Sequence, residues 1–456
     1  MDINNYQSYF FIGIGGTGMS AIAQYLKGIG KSVSGSDRQF NSKTKTETEQ
    51  KLNKEGILTF EQNGEGIDPQ TEIVVVSTAV EENNVEYLKA VQLNIPVVLR
   101  SDLLAAITQT KKTIAVSGTS GKSTTSAMIY HIMEKCGKPI SFIGGAGLIS
   151  IQKTDKIGNS ITTTSDWLVI EADESDGSLV KYKPEIGLIL NIDKDHKELE
   201  ELESIFKTFK DNTKSKLIVN QAHIRTKPFS QNPDNDFGYQ MQCGFNATDF
   251  EQTSFQIKFN INGVEFEIPL IGQHNMENAA AAVATCCELG VSIQEASKAL
   301  QSYEGIYRRH QLIGNQNGLL IVDDYAHNPV KLAASIKACQ FKGSKLFVWF
   351  QPHGFQPTKF LRNDFVEEIV NALRTDDEIW MSEIFYAGGT VTKDISANDL
   401  ILDIKQSHVN AFFIMNREQL PEIIKSKFKK GDILLLTGAR DPSLADFAQF
   451  VLKELN

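Results

Sequence analysis

Little in the chain ties it to a membrane, to nucleic acid or to an oxidising compartment. No apolar run approaches the roughly 18 residues that cross a bilayer, and the start MDINNYQSYFFIGIGG lacks the basic region and small-residue cleavage site of a secretory signal. A cytoplasmic protein with no membrane partner is the expectation. Five cysteines, an odd number without a C-x-x-C pair, exclude a zinc ribbon or dithiol motif and read as reduced, buried thiols. With 46 Lys and Arg against 56 Asp and Glu, the charge of −10 leaves no net positive field to attract a phosphate backbone, so no nucleic-acid partner is expected. Low-complexity stretches, coiled-coil heptads and 20–50-residue repeats are also missing.

What is present is an ordinary globular composition, 41% hydrophobic and 22% charged, in 456 residues, about three single-domain lengths. Short apolar runs (YFFIGIG, SVSGSD, EIVVVST, IPVVLR) alternate with helical stretches over the first hundred residues, the pattern of a doubly wound parallel sheet. A second α/β pattern runs through KKTIAVSG, DWLVIEAD and IGLILNID, strands that end in polar tips. Residues 237–271 then alternate as an antiparallel extension, with Asn262-Gly263 as a type I′ hairpin signal. Five further strands, in LLIVDD, KLFVWFQ, EIWMSEIF, NAFFIM and DILLLTGA, form a third α/β unit. The fold expected is α/β in three domains, 1–108, 109–312 and 313–456: two Rossmann-like domains flanking a central phosphate-loop domain.

Gly118-Thr119-Ser120-Gly121-Lys122-Ser123-Thr124 follows a strand and opens a helix. That context suits a phosphate loop: backbone N–H groups and the helix terminus face an anion, a lysine reaches the terminal phosphates, and a hydroxyl ligates magnesium. Position 116 is valine, so the loop is the shorter G-x-x-G-K-S form. The cluster Glu171-Ala172-Asp173-Glu174-Ser175-Asp176 emerges from another strand end, where carboxylates suit a hard ion shared with phosphates. Asn191-Ile192-Asp193-Lys194-Asp195-His196 caps a third run, with His196 able to ligate a metal or orient a phosphate. Gly13, Gly15, Gly16 and Gly18, followed by Met19 and Ser20 and with Asp37 at the end of the next strand, form a dinucleotide-type fingerprint. Any pyrophosphate, including that of a UDP-sugar, can sit on such a terminus.

In this order FFIGIGGTGMSAIA, GTSGKSTT, EADESD, NIDKDH, GQHNMENAAAA and RRHQ with DDYAHNP resemble the motifs of the Mur ligase family, over essentially the whole chain. The resemblance implies an ADP-forming, ATP-dependent amide ligase of peptidoglycan precursor synthesis, acting on UDP-N-acetylmuramate through an acyl phosphate. L-Alanine is the first candidate for the amine, and the tripeptide of the family's murein recycling ligases the second. It further implies catalytic roles for Lys122, Glu174 and His196, with magnesium (manganese as substitute) on Ser123, Thr124, Glu174 and His196. ATP would be held by residues 118–124, His274, Asn278, Arg309 and Asp324. The UDP-sugar would lie on the first fingerprint, and the amine component near Tyr325, His327 and His353. Closure of domains around ATP, and a monomer or homodimer, are the further expectations.

Departures cluster on the amine side. Where alanine-adding members continue Q-P-H-R-Y-x-R-T, this chain reads Gln351-Pro352-His353-Gly354-Phe355-Gln356-Pro357-Thr358, without either arginine. Lys359 or Arg362 are the nearby substitutes, and Gly354 suggests space for a larger amine. The usual loop histidine is Ser120, D-Y-[GA]-H-H-P is DYAHNP, and G-A-G-N is GARDPS. An NAD-dependent oxidoreductase would leave GTSGKSTT and EADESD without purpose. A non-catalytic nucleotide-binding regulator would not need Lys122, Glu174 and His196.

Overall fold

The computed structural model describes residues 1–41, 43, 45–193, 198–386, 392–408 and 410–455. They form two compact units: residues 1–250, 258–269 and 274–306 in one, residues 251–257, 270–273 and 307–456 in the other. Among the described residues no helix is long and apolar enough to cross a membrane.

The first unit opens with β1 (Ser8–Ile12), β2 (Ser32–Asp37), β3 (Leu58–Glu61), β4 (Ile73–Val76) and β5 (Val97–Leu99), in the order β3-β2-β1-β4-β5 with every pair parallel. Its central strands are near-continuous apolar runs because helices cover both faces. The strand order reverses between β1 and β4, and ligands of open α/β sheets bind outside the carboxyl ends at such a reversal.

The second sheet comprises β6 (Lys112–Ser117), β7 (Ser141–Ile143), β8 (Ser160–Ile161), β9 (Trp167–Glu171), β10 (Ile186–Ile189) and β11 (Lys216–Val219), in the order β11-β10-β6-β9-β7-β8. Thus β6 carries the glycine-rich loop at its end, flanked by β9 with its acidic tip and by β10. A third sheet follows in the order β12 (Phe237–Tyr239), β13 (Phe245–Thr253), β14 (Gln256–Ile261), β15 (Val264–Ile268). Asn262 and Gly263 join β14 to β15 with φ of 50° and 80°, as a type I′ turn requires. The extension is not wholly antiparallel, because β12 and β13 pair in parallel.

The second unit holds β16 (Gln311–Gln316), β17 (Leu319–Asp324), β18 (Leu346–Gln351), β19 (Glu378–Met381), β20 (Ala411–Phe413) and β21 (Ile433–Gly438), in the order β16-β17-β21-β18-β19-β20. The five expected strands are joined by a sixth, β16, antiparallel to β17. The Asn-Pro of DYAHNP starts a helix: Asn328 Oδ1 accepts from Lys331 N, and Pro329 takes the first position, where its missing N–H has no partner to lose. The cysteines are free, but only Cys286 and Cys339 are fully buried, while Cys136, Cys243 and Cys287 lie half-buried.

Candidate nucleotide and amine sites

At the end of β1 the fingerprint loop turns against β2, with Gly13 N and Ile14 N donating to Ser36 O and Gly15 N donating to Asp37 Oδ2 at 3.0 Å. Asp37 therefore braces the loop. Gly16 and Gly18 line the start of the helix Thr17–Gly28, whereas Met19 and Ser20 turn into its packed face. Ser20 is held by Asn159, just before β8, whose Nδ2 donates to Thr17 O and Ser20 Oγ while Gln24 Nε2 donates to Asn159 Oδ1. Arg100 packs beside Gly18 and donates to Asp176 Oδ2 at 2.9 Å, linking the fingerprint to the acidic segment. Neither Asn159 nor Arg100 belongs to a recognisable motif.

Beyond β6, Gly121 has φ 85°, and a Cβ there would lie 2.3 Å from Asn278 Oδ1, so the loop needs a glycine on both counts. Asn278, in the helix Gln273–Glu288 with His274 in its first turn, also accepts from Thr125 Oγ1 and donates to Asn275. Thr119 is buried, and residues 120–124 are half-buried, with Thr124 in the first turn of the helix Lys122–Lys135. Lys122 Nζ donates to Gly118 O and to Glu174 Oε2, both at 2.7 Å, and lies 3.6 Å from Asp173 Oδ1. Burial disfavours its charge, but the carboxylates of Glu174, Asp173 and Glu171 outweigh burial and hold the ammonium up. The lysine is thus kept charged in a low-dielectric pocket.

Two residues that the motif reading left without a role complete this loop. Ser123 Oγ donates to Glu171 Oε2 at 2.7 Å, and Gly145 N donates to the same oxygen. Asn191 Oδ1 accepts from Thr119 Oγ1 and Ser120 N, and its Nδ2 donates to Ser120 O. The strand-end position in NIDKDH was the available signal for Asn191. Ser123, Glu171 and Glu174 present only hydroxyl and carboxylate oxygens, a donor set that fits a hard divalent ion sharing its shell with phosphate oxygens. His196 lies outside the described residues.

In the second unit the expected residues cluster at the carboxyl ends of β17, β18 and β21. The His327 ring lies 5.5 Å from Tyr325 and 5.6 Å from His353, centroid to centroid. Burial lowers both imidazoles to about 4, assisted at His353 by Arg440 and at His327 by Lys331, His353 and Arg309, while a hydrogen bond to Tyr325 O opposes the shift at His327. Arg309 sits 5.3 Å over the Tyr325 ring. Asp324 is buried and accepts from His310 N, Ala326 N and Ser335 Oγ, so it braces the strand end. Its neighbour Asp323 pairs with the equally buried Arg308, which also donates to Gly438 O. Lys359 pairs with Asp394 and Arg362 with Asp403. Gly354 has φ 72°, and a Cβ there would meet Pro357 Cδ at 3.2 Å. This left-handed turn against Pro357 favours glycine, a backbone reason for the residue beside any space it leaves for the amine.

A charged lysine in a glycine loop, flanked by carboxylates, is an arrangement suited to a nucleoside triphosphate. Residues 8–112 match the Mur ligase family, catalytic domain; residues 116–286 the Mur ligase middle domain; and residues 308–440 the Mur ligase, glutamate ligase domain. The chain belongs to the Mur ligase family. It is 35% identical to the UDP-N-acetylmuramate–L-alanine ligase of Carboxydothermus hydrogenoformans, over 94% of this chain and 93% of that one. It is 34% identical to the ligase of the same name from Dictyoglomus turgidum, over 95% and 94%. In fold it is similar to the UDP-N-acetylmuramate-alanine ligase of Thermotoga maritima (TM-score 0.81, 24% identity, 98% of both chains). It also resembles a murein peptide ligase of Psychrobacter arcticus (TM-score 0.68, 20% identity, 98% of both chains).

Proposed function

We propose that this chain is a cytoplasmic, ATP-dependent, ADP-forming ligase that joins L-alanine to the carboxylate of UDP-N-acetylmuramate in peptidoglycan precursor synthesis. The observation that carries this reading is the Lys122 ammonium, held charged by three carboxylates at the end of β6 in a chain whose relatives carry that activity in their names. A carboxylate oxygen of the sugar attacks the γ-phosphorus of ATP and ADP leaves. The amine nitrogen then attacks the carbonyl carbon of the acyl phosphate, phosphate departs with the acyl oxygen, and the surplus proton goes to solvent.

Lys122 neutralises charge that develops on the transferred phosphoryl group, and the first turn of the helix Lys122–Lys135 offers its N–H groups to the phosphates, while Asn191 holds the N–H groups of Thr119 and Ser120. Ser123, Glu171 and Glu174, with Thr124 and His196, would hold magnesium, which would supply charge neutralisation to the phosphates when bound. Asn278 and His274 are assigned to the adenine side, Arg309 and Asp324 to the ribose side. Gly13, Gly15, Gly16, Gly18 and Asp37 form the UDP-sugar loop, with Met19 and Ser20 fixing its helix. Tyr325, His327 and His353 receive the amine component. The test is ADP release from the purified chain with UDP-N-acetylmuramate, ATP and magnesium. Stimulation by L-alanine supports the reading, and stimulation only by another amine overturns the substrate.

A further inference from the structure

Among the described residues four arginines stand at or near the carboxyl ends of β17, β18 and β21, and three of them are committed. Arg308 is tied to Asp323 and Gly438 O, Arg417 to Gln351, Asp441 and Ser443, and Arg309 lies over Tyr325. Arg440 differs: among the described residues no hydrogen bond or ion pair engages its guanidinium, and it is exposed to solvent. It also has φ 69°, a left-handed conformation that an arginine adopts only against its preference. Strain of this kind persists where the surroundings or a function require it.

The location gives the strained residue a purpose. β18 and β21 are adjacent and parallel, with Gln351 opposite Gly438. His353 and Arg440 therefore follow neighbouring strand ends by two residues each, and Arg440 acts electrostatically on His353. The His353 ring in turn lies beside His327. Both imidazoles are uncharged at neutral pH, so they add hydrogen-bonding capacity without competing for a cation's partner. Position 354 has no side chain, and Lys359 and Arg362 are paired with Asp394 and Asp403.

We propose that Arg440 is the specificity residue that grips the α-carboxylate of the incoming amino acid, from the end of β21 beside His353. This rests on the ligase reading above. A guanidinium offers two parallel N–H donors to a carboxylate. Discrimination between an amino acid and the same amine without a carboxylate follows.

The decisive variant is R440G, because glycine accommodates φ 69° more readily than arginine and the fold is not put at risk. Steady-state kinetics of the full chain are measured with L-alanine and with L-alaninamide. R440G should raise KM for L-alanine about 10- to 100-fold, the range of a lost charge-assisted hydrogen bond. The values of kcat, KM for ATP and KM for UDP-N-acetylmuramate should stay within about twofold, and kcat/KM for L-alaninamide should be unchanged; R440K should recover part of the loss. A KM for L-alanine within about twofold of wild type, or an equal loss with L-alaninamide, overturns the assignment. If the wild type turns over a different amino acid or a peptide instead, the alanine reading fails on the wild-type data alone. The same R440G comparison with that amine and its carboxamide then decides the role of Arg440.

Discussion

The side-chain amide of Asn191 and the peptide of Ser120 bond reciprocally, Ser120 N donating to Asn191 Oδ1 at 2.8 Å and Asn191 Nδ2 donating to Ser120 O at 3.1 Å. Thr119 adds its hydroxyl to the same Oδ1 and its N–H to Asn191 O. The end of β10 thus dictates the path of the glycine-rich loop that leaves β6. Asn191→Asp would remove the donor half of the pair and set a negative charge beside the phosphates. KM for ATP should rise about tenfold or more in N191D and N191A, while UDP-sugar binding measured by calorimetry changes little. Equal ATP KM values in the variants and wild type would remove the clamp from the account.

Lys122→Ala should lower ADP release by about 10² to 10³ or more, the scale of losing one preorganised charge donor in a desolvated site. Glu174, at 3% exposure, would lose its partner. Breaking a buried pair on one side costs about 3–5 kcal/mol. Lys122→Met with Glu174→Gln should therefore recover stability in urea unfolding without recovering turnover. Retained turnover in Lys122→Ala would contradict the phosphate-loop assignment.

The paired imidazoles make a pH prediction. Burial lowers His327 and His353 to about 4, below the value near 6.5 of an unfolded histidine. Between these values the unfolded chain binds protons that the folded chain refuses, so stability falls as pH drops. Their contribution is complete above about pH 6.5 and is lost progressively toward pH 4. Thermal unfolding of wild type and of the H327Q/H353Q double variant between pH 7.5 and 4.5 checks this; the double variant should lose stability less steeply, and identical slopes would refute it.

Asn159→Ala should loosen the fingerprint helix, since Asn159 bonds Thr17 O, Ser20 Oγ and the Gln24 amide in a buried position. Each of those groups keeps one other bond, Ser20 Oγ donating to Thr17 O and Gln24 Nε2 donating to Ser20 O, so each lost hydrogen bond costs about 0.5–1.5 kcal/mol. KM for the UDP-sugar should rise while KM for ATP stays within about twofold. The reverse pattern would detach Asn159 from the UDP-sugar site.

The parts of this site that depend on local chemistry were legible in the chain. Gly121 before Lys122 and the Asn262-Gly263 turn are each dictated by backbone conformations that few residues adopt. What sequence did not disclose is set by contacts distant along the chain. Asn191 reaches Ser120 across 71 residues, Asn159 reaches Ser20 across 139, and Glu171 reaches Ser123 across 48. Strand β16, QLIGNQ, has glycine and asparagine where a strand usually has branched residues, and it forms because β17 offers it a free edge. Gly354 reads as space for a larger amine in the sequence, and the fold adds a backbone reason, its left-handed turn against Pro357.

The most direct measurement is ADP release by the wild-type chain with ATP, magnesium and UDP-N-acetylmuramate, adding L-alanine, other amino acids and the stem tripeptide one at a time. The account predicts strong stimulation by L-alanine and the mass of the alanyl product. Stimulation by the tripeptide alone, or by no amine at all, would contradict it.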